Sequence, residues 1–382
     1  MNEVVRCTRC IMDNSSDNTI IFDGDGYCNY CTEAISRGKE TYFPNEEGEK
    51  KLNLLLEKIK KNGVGKNYDC LMGISGGLDS SYLLYLGHKW GLRIIALHLD
   101  DGFDTDIAKS NIKKLFETTK FELFTIKPDS EQFNALTKAY MKAGVPNLAV
   151  PQDNAIFAEI YGYAKKNKIS YFLSGANFAL ECILQKGNTH NAYDLNNIKD
   201  IHKKFGDKPI NKLTFISAFQ SDINKKILNL QTVCPLDYID YNRDRAFKEL
   251  NDFCGFEYYG SKHLENILTS FVQLYWFPKK FGVDKRTSHL SSMIVSGQIT
   301  REQALEIYEK PLYEESMMIK YINIIKDKLN MSDKEFGDIM NAPIRQHTDF
   351  KTNGNYLKFV KILSKVKKTV LFRPTKKKEC DQ

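Results

Sequence analysis

The sequence predicts an α/β protein: a doubly wound, mostly parallel sheet, preceded by a small cysteine-rich unit and followed by a mainly helical region. Three observations carry this. Between residues 49 and 255, short apolar runs alternate with amphipathic helical stretches, the pattern of parallel strands joined by crossover helices. The first such run, within residues 68–82 (YDCLMGISGGLDSSY), ends in a glycine loop that leads straight into a helical pattern. Two C-x2-C pairs stand ahead of it, and helical periodicity dominates after residue 256.

Residues 1–48 hold Cys7-x2-Cys10-x17-Cys28-x2-Cys31. Each C-x2-C puts two sulfurs on one tight turn, and two such turns complete a tetrahedron around Zn²⁺. Residues 19–27 (TIIFDGDGY) read as a strand, a glycine turn and the return to the second pair. So short a segment builds little core, and a structural metal supplies what the core cannot. An iron–sulfur cluster or reactive thiols are the other readings. Four protein ligands with no open position favour structural zinc. Residues 40–50 (ETYFPNEEGEK) read as a linker, and residues 50–62 as a helix with Leu52, Leu55, Leu56 and Ile59 in phase.

In the 49–255 unit, strands are expected at 69–74, 93–99, 121–126 and 169–173, with helices at 80–90, 106–118, 130–143 and 152–167. The run RIIALHL at 93–99 suits a buried parallel strand. Loops at 75–81, 99–103 and 174–177 all follow strands, at the edge where open α/β sheets bind ligands. The first is Ser75-Gly76-Gly77-Leu78-Asp79-Ser80-Ser81. Its glycines let the backbone approach an anion, and the helix that follows adds unpaired N–H groups and the positive end of its dipole. Three serines add hydroxyls, and Asp79 adds a carboxylate suited to Mg²⁺–pyrophosphate. The spacing excludes the Walker loop, which needs a Lys-Ser/Thr pair after its last glycine, and also GxGxxG. An ordinary Gly-Gly turn is the bland alternative. Residues 185–212 are polar and resist assignment; a mobile segment over the site is the expectation. Helices are expected at 213–229 and 242–254, with a break at 233–238.

Residues 256–382 open with an aromatic and basic stretch. A helix is expected at 264–276, then a break at PKKFG (278–282), then Asp284-Lys285-Arg286 and a helix at 287–296. Thr300-Arg301-Glu302-Gln303 is a capping box opening another helix. Trp276 and its aromatic neighbours read as core rather than a sugar-stacking platform. Lys280, Lys285 and Arg286 read either as a solvated helix-end cluster or as anion ligands. His263 and His289 read either as satisfied structural histidines or as site residues.

The net charge of +7 suits anionic small substrates. The lysine-rich tail (Lys365, Lys367, Lys368, Arg373, Lys376, Lys377, Lys378) reads as a solvated surface run, so nucleic acid is not an expected partner. No stretch approaches the ~18 apolar residues of a membrane span, and the N-terminus lacks the apolar core of a signal peptide. A cytoplasmic location is expected. Nine cysteines, four in spaced pairs and five scattered, do not make a disulfide framework.

SGGLDSS resembles the PP-loop of the ATP pyrophosphatases, whose adenine nucleotide alpha-hydrolase-like fold splits ATP into AMP and pyrophosphate. CxxC…CxxC, then SGGLDSS, then FGVDKRTSHLSSMIVSGQITREQALE resembles, over nearly the whole chain, the N-acetyl sugar amidotransferases. These act in bacterial surface-polysaccharide (lipopolysaccharide) and nonulosonic-acid biosynthesis, including that of pseudaminic and legionaminic acids. SGGxDS alone is shared with GMP synthetase, asparagine synthetase, argininosuccinate synthetase and the tRNA thiolases; the KFGVDKR…HLSSMIVSGQ block is the family-specific part. The resemblance implies that an acetamido sugar, nucleotide-linked or not, becomes an acetamidino sugar through an adenylated imidate, with ATP, Mg²⁺ and structural Zn²⁺ as cofactors.

The resemblance also implies residue roles. Ser75, Gly76, Gly77, Leu78, Asp79, Ser80 and Ser81 would bind the departing pyrophosphate and its Mg²⁺. The backbone of Leu97, His98 and Leu99 would meet the adenine, and Gly175 and Asn177 would lie near the ribose or α-phosphate. Lys285 and Arg286 would reach the pyrophosphate, while Lys262, His263 and Glu265 are candidates for the sugar side or for proton transfer. The resemblance further implies ammonia from a separate glutaminase with a barrel-shaped, cyclase-like synthase partner; position 2 is Asn2, and the remaining cysteines have no recognisable glutaminase context. The rival is a tRNA thiolase, which often uses a second cysteine pair; no CxxC follows Cys31. A non-catalytic ATP-binding scaffold is the third reading, and the full loop with Asp79 speaks against it.

Overall fold

The structure is a computed structural model and describes residues 4–260, 264–356, 358 and 360. Its centre is a sheet of five parallel strands: β1 (Cys70–Gly73), β2 (Ile94–Leu99), β3 (Glu122–Ile126), β4 (Tyr171–Leu173) and β5 (Gln231–Val233), in the order β3-β2-β1-β4-β5. Alternation along β1 sends Cys70 and Met72 to one face and Leu71 to the other. The first face packs on the helix Leu78–Lys89, whose Leu83 and Leu84 are fully buried, each worth roughly 1.5–3 kcal/mol. The second face meets Ile160 and Ala164 of the helix Val150–Asn167. Helices on both faces explain why β2 is buried along its whole length.

The chain winds outward from β1 through β2 to β3, then returns to add β4 and β5 on the other side. The order therefore reverses between β1 and β4, the crevice where open α/β sheets take ligands. The loops after these two strands face one another there. A second core lies beyond the sheet, where the helices Ser130–Ala143, Leu195–Phe205 and Glu315–Lys328 meet Phe271 and Trp276. Trp276 is completely buried and its indole N–H donates to the Val145 carbonyl at 3.1 Å. Among the described residues, no helix is long and apolar enough to cross a membrane.

Several expectations need correcting. The linker at 40–50 shrinks to four residues, because Asn45 accepts from the Glu47 and Gly48 amides and starts the helix Glu46–Asn62 at once. β5 has only three residues and little burial, so it left no apolar run to read. Residues 185–212 are folded: Asp194 caps the helix Leu195–Phe205, and Ile198 and Ile201 anchor it in the second core. The helix expected from 213 starts at Ala218, behind the Ser217–Gln220 capping box. The stretch expected as one helix and a break is an α-helical turn (Ile267–Phe271) that widens into π-helical turns over Val272–Phe281. Pro278 lacks an N–H and is absorbed in the wider turns.

Candidate active site

The loop after β1 and the first turn of Leu78–Lys89 form one wall of a cavity of about 240 Å³. Ser75, Gly77, Leu78, Asp79 and Ser80 line that wall; Gly175, Ala176 and Glu181 line the opposite one; Tyr259 and Glu265 close it. Gly76 has φ +78°, and a Cβ there would sit 2.8 Å from the Ala108 carbonyl oxygen, so only glycine allows this turn. Gly175 lies so close to the first loop that its Cβ would meet Ser80 backbone atoms at 3.2 Å. The two loops are thus held at backbone contact across the switch point.

Hydrogen bonds anchor the loop at Ser75, Leu78 and Asp79. The Ser75 hydroxyl donates to Glu265 Oε1 at 3.1 Å and accepts from the Gly77 amide at 3.2 Å. The Leu78 amide donates to the Tyr259 hydroxyl at 2.8 Å, and the Tyr241 hydroxyl donates to Asp79 Oδ1. Burial, then the nearby Glu265 and Asp79 carboxylates, push the Tyr259 and Tyr241 phenols well above their ordinary range, so both stay protonated. Ser81 is fully buried behind the wall and Gly76 shapes it from outside.

Three carboxylates, Asp79, Glu181 and Glu265, line the cavity, and none of its described lining residues is basic. Glu265 is nearly buried and its Oε2 has no hydrogen-bond partner among the described residues. Leaving such an oxygen unpaired is costly. An all-oxygen donor set of carboxylates and serine hydroxyls is what a hard divalent cation takes. The residues therefore fit Mg²⁺ carried in with a nucleotide.

Behind the cavity, His98 ties the loops together. Its Nδ1 bonds the Ile74 carbonyl at 2.9 Å and its Nε2 bonds Asp104 Oδ2 at 3.0 Å. Burial opposes the His98 imidazolium, but Asp104 and the Ile74 carbonyl outweigh it and raise the pKa. Asn266 donates to Asp101 at 3.1 Å and to Asp104 at 3.4 Å, next to the Glu265 that touches Ser75. Burial pushes Asp101 up to about 6. The side chain of His98 thus braces the site, while Leu97, His98 and Leu99 are interior strand residues paired with Phe124, Thr125 and Ile126. None of these three lines the cavity. Asn177 is buried and caps the turn Phe178–Glu181 through the Leu180 amide.

The C-terminal basic residues lie elsewhere. Arg286 clasps Asp284 at 2.7 Å and donates to the Lys310 carbonyl at 2.7 Å. Lys280 is neither solvated nor in the site: its ammonium donates to the Ile339 and Ala342 carbonyls, both at 2.7 Å, capping the helix Asp333–Asn341. Lys285 lines a second cavity beside Phe277. Lys262 and His263 fall outside the described residues. Glu181, Tyr241 and Tyr259 carried no motif. Only the aromatic density of 256–259 hinted at Tyr259.

Cys7, Cys10, Cys28 and Cys31 are buried, with their sulfurs all within 4.8 Å of one another. Cys7–Cys31 and Cys10–Cys28 Sγ separations are 3.8 and 3.6 Å, close to the roughly 3.8 Å edge of a tetrahedron with Zn–S of about 2.3 Å. Amides of Cys10 and Cys28 donate to Cys7 Sγ at 3.4 and 3.2 Å, as thiolates demand. The four residues fit zinc. The unit docks on the helix Arg286–Val295 through Ile11 N–H to Ser291 Oγ at 3.1 Å, and Arg301 donates to the Cys7 and Cys10 carbonyls, both at 3.1 Å. Elsewhere, burial pushes the Cys182 and Cys234 thiols up to about 11, the opposite of an activated nucleophile.

Comparison with known proteins divides the chain at this cavity. Residues 69–179 match the family of the queuosine biosynthesis protein QueC, and residues 265–367 match the C-terminal domain of LPS biosynthesis protein WbpG-like proteins. The chain is a PP-loop protein with a WbpG-like C-terminal domain. In this PP-loop protein the cavity is a joint product: Ser75 and Asp79 come from the QueC-like part, and Glu265 is the first residue of the WbpG-like part. Similar solved structures include an NMN synthetase from Francisella tularensis, 17% identical, covering 58% of this chain and 100% of that one at a TM-score of 0.29. An NH3-dependent NAD synthetase from Campylobacter jejuni is 13% identical and covers 78% of this chain and 98% of that one at a TM-score of 0.29. These likenesses carry no part of the functional argument. No curated protein matches the chain.

Proposed function

We propose that this protein is an ATP-dependent, AMP- and pyrophosphate-forming amidotransferase that converts an acetamido group of a sugar into an acetamidino group. The observation that carries the reading is the joint cavity: a PP-loop meets Glu265 of a WbpG-like domain within hydrogen-bond distance. A PP-loop alone gives adenylation of many substrates; the LPS-biosynthesis domain at its mouth points to a sugar. In the proposed reaction the amide oxygen attacks the α-phosphorus, the α–β anhydride bond breaks and pyrophosphate leaves. Ammonia then adds to the imidate carbon, a proton is lost, and AMP departs with the former amide oxygen. An amide oxygen is a poor leaving group and AMP a good one, which is why ATP is consumed.

Each residue has a part in this reading. The Gly77–Ser80 turn and the Ser75 and Ser80 hydroxyls hold the pyrophosphate, and the helix N-terminus stabilises its charge. Asp79 and Glu265, with Glu181, would hold Mg²⁺, which neutralises charge on the phosphates when bound. Tyr241 and Tyr259 keep Asp79 and the Leu78 amide in place. The buried Cys7, Cys10, Cys28 and Cys31 would hold zinc as a brace under the C-terminal domain. Ammonia from separate glutaminase and cyclase-like subunits, and a cytoplasmic location, complete the proposal.

The deciding assay supplies ATP, Mg²⁺, ammonia and a panel of acetamido sugars to the full chain. The expected result is sugar-dependent AMP and pyrophosphate, with a product about one mass unit lighter, since NH replaces O. Tight, salt-dependent tRNA binding with no sugar-dependent AMP would replace this reading with RNA modification.

A further inference from the structure

The cavity holding Lys285 shares no lining residue with the nucleotide cavity. It measures about 160 Å³ and its wall includes Asn147, Gln152, Thr269, Gln273, Phe277 and Lys285. That is below the roughly 300–1,000 Å³ of sites that enclose a whole drug-sized ligand, so it suits one ring and its substituents. We propose that this cavity is the acceptor pocket, in which the Lys285 ammonium binds an anionic group, a carboxylate or a phosphate, carried by the acetamido sugar. The proposal rests on the amidotransferase reading above.

Three observations support it. The Lys285 ammonium makes no hydrogen bond and no ion pair among the described residues and lies 5.6 Å from the Phe277 ring centroid. Burial pushes its pKa down to about 8, with only Asp17 opposing; an anion would recover the lost solvation. The Gln273 amide is likewise without a hydrogen bond among the described residues, and Asn147 and Gln152 each spend only part of their capacity, on the Ala149 amide and on Asp101. Such amides read hydroxyls and an acetamido group, while Phe277 offers an apolar face to ring carbons.

Position supplies the third. Glu265 lines the nucleotide cavity just before the Asn266 cap, and Thr269, in the first turn of the helix Ile267–Phe271, lines the second one. Asp101 links the two, accepting from Gln152 at 2.6 Å and from Asn266 at 3.1 Å. A sugar ring seated beside Lys285 therefore lies in a cavity tied to the nucleotide cavity through residues 265–269 and the Asp101 hydrogen bonds.

The test measures binding to the full chain, by calorimetry with a non-hydrolysable ATP analogue present. The probes share one ring: N-acetylglucosamine, its uronic acid and its 1-phosphate. One anionic form is expected to bind about 30-fold tighter than the neutral sugar, the scale of a charged hydrogen bond, and which one it is tells carboxylate from phosphate. Lys285→Gln is expected to abolish that preference and Lys285→Arg to keep most of it. Gln273→Glu, which adds a carboxylate to the same cavity, is expected to lose the anionic sugar and keep the neutral one. Equal affinities for all three probes, no binding of either anion, or an unchanged preference in Lys285→Gln would each overturn the pocket. AMP and amidine formation from acetamido sugars alongside such a negative result leaves the reaction standing without the pocket. Lys285-dependent binding of an anionic sugar with no AMP formed leaves the pocket standing without the reaction.

Discussion

The fully buried hydroxyl of Tyr241 donates to the carboxylate of Asp79, 162 residues away, at the first turn of the glycine-loop helix. The bond fixes the one loop carboxylate that faces the phosphate cavity. Tyr241→Phe removes only this oxygen and leaves an acceptor short of a donor. We expect a loss of about 1–3 kcal/mol in unfolding free energy and a fall of about tenfold in ATP-dependent pyrophosphate release, read by coupled assay. Asp79→Asn should cost more than about 100-fold with little change in stability.

The His98–Asp104 pair makes a pH prediction. The folded-state pKa of His98 is raised above its ordinary 6.5, so the native state binds the proton more tightly than the unfolded chain. That stabilisation is fully present below about pH 6.5 and is lost as pH rises through the raised value. The stability advantage of the wild type over His98→Asn, from urea unfolding at pH 5.5 to 8.5, should therefore shrink as pH rises. An advantage that grows with pH would sink the assignment. Because the same imidazole holds the Ile74 carbonyl just before the loop, His98→Asn should also raise the KM for ATP several-fold.

Glu265 separates stability from activity. Its Oε2 is buried without a hydrogen-bond partner among the described residues, a feature that costs folding energy and persists where function needs it. Glu265→Gln should leave the melting temperature unchanged or slightly higher, lower pyrophosphate release by about 100-fold, and raise the Mg²⁺ concentration needed for half-maximal rate. A variant with normal Mg²⁺ dependence would remove Glu265 from the cation site.

The cysteine cluster should carry one zinc per chain, measured by atomic emission on protein purified without added metal. Cys28→Ser leaves three sulfurs and should lower the melting temperature by more than about 5 °C. Arg301 ties the cluster to the helix Arg301–Glu309, and Ser291 ties it to the preceding helix Arg286–Val295. Amide exchange in that helix should therefore rise in Cys28→Ser, although no metal ligand lies in it.

Much of this was legible in residue order, because local rules decide it. The glycine loop, the four cysteines, the capping box at Thr300 and the buried run of β2 each obey a short-range pattern. What stayed hidden depends on contacts between distant segments. Tyr259 and Glu181 line the cavity, and Tyr241 reaches Asp79, across segments far apart in the chain, and no spacing encodes that. The three residues of β5 are too few and too exposed to show a period. The π-helical stretch at Val272–Phe281 reads as a break because its proline and glycine are the same letters that end helices.

The basic cluster at 284–286 shows the limit most clearly. In sequence Lys285 and Arg286 are equivalent candidates for an anion; in the fold they are opposites. Arg286 is spent: its guanidinium clasps Asp284, donates to the Lys310 carbonyl and lies 5.1 Å from the Tyr308 ring centroid. A planar fork with these partners is not replaced by an ammonium. Arg286→Lys should therefore lower the melting temperature by several degrees, since it loosens the start of the helix Arg286–Val295 against Ile307 and Lys310. It should change the KM for ATP by less than about twofold, because the guanidinium does not line the nucleotide cavity. A large rise in that KM with an unchanged melting temperature would return Arg286 to the pyrophosphate.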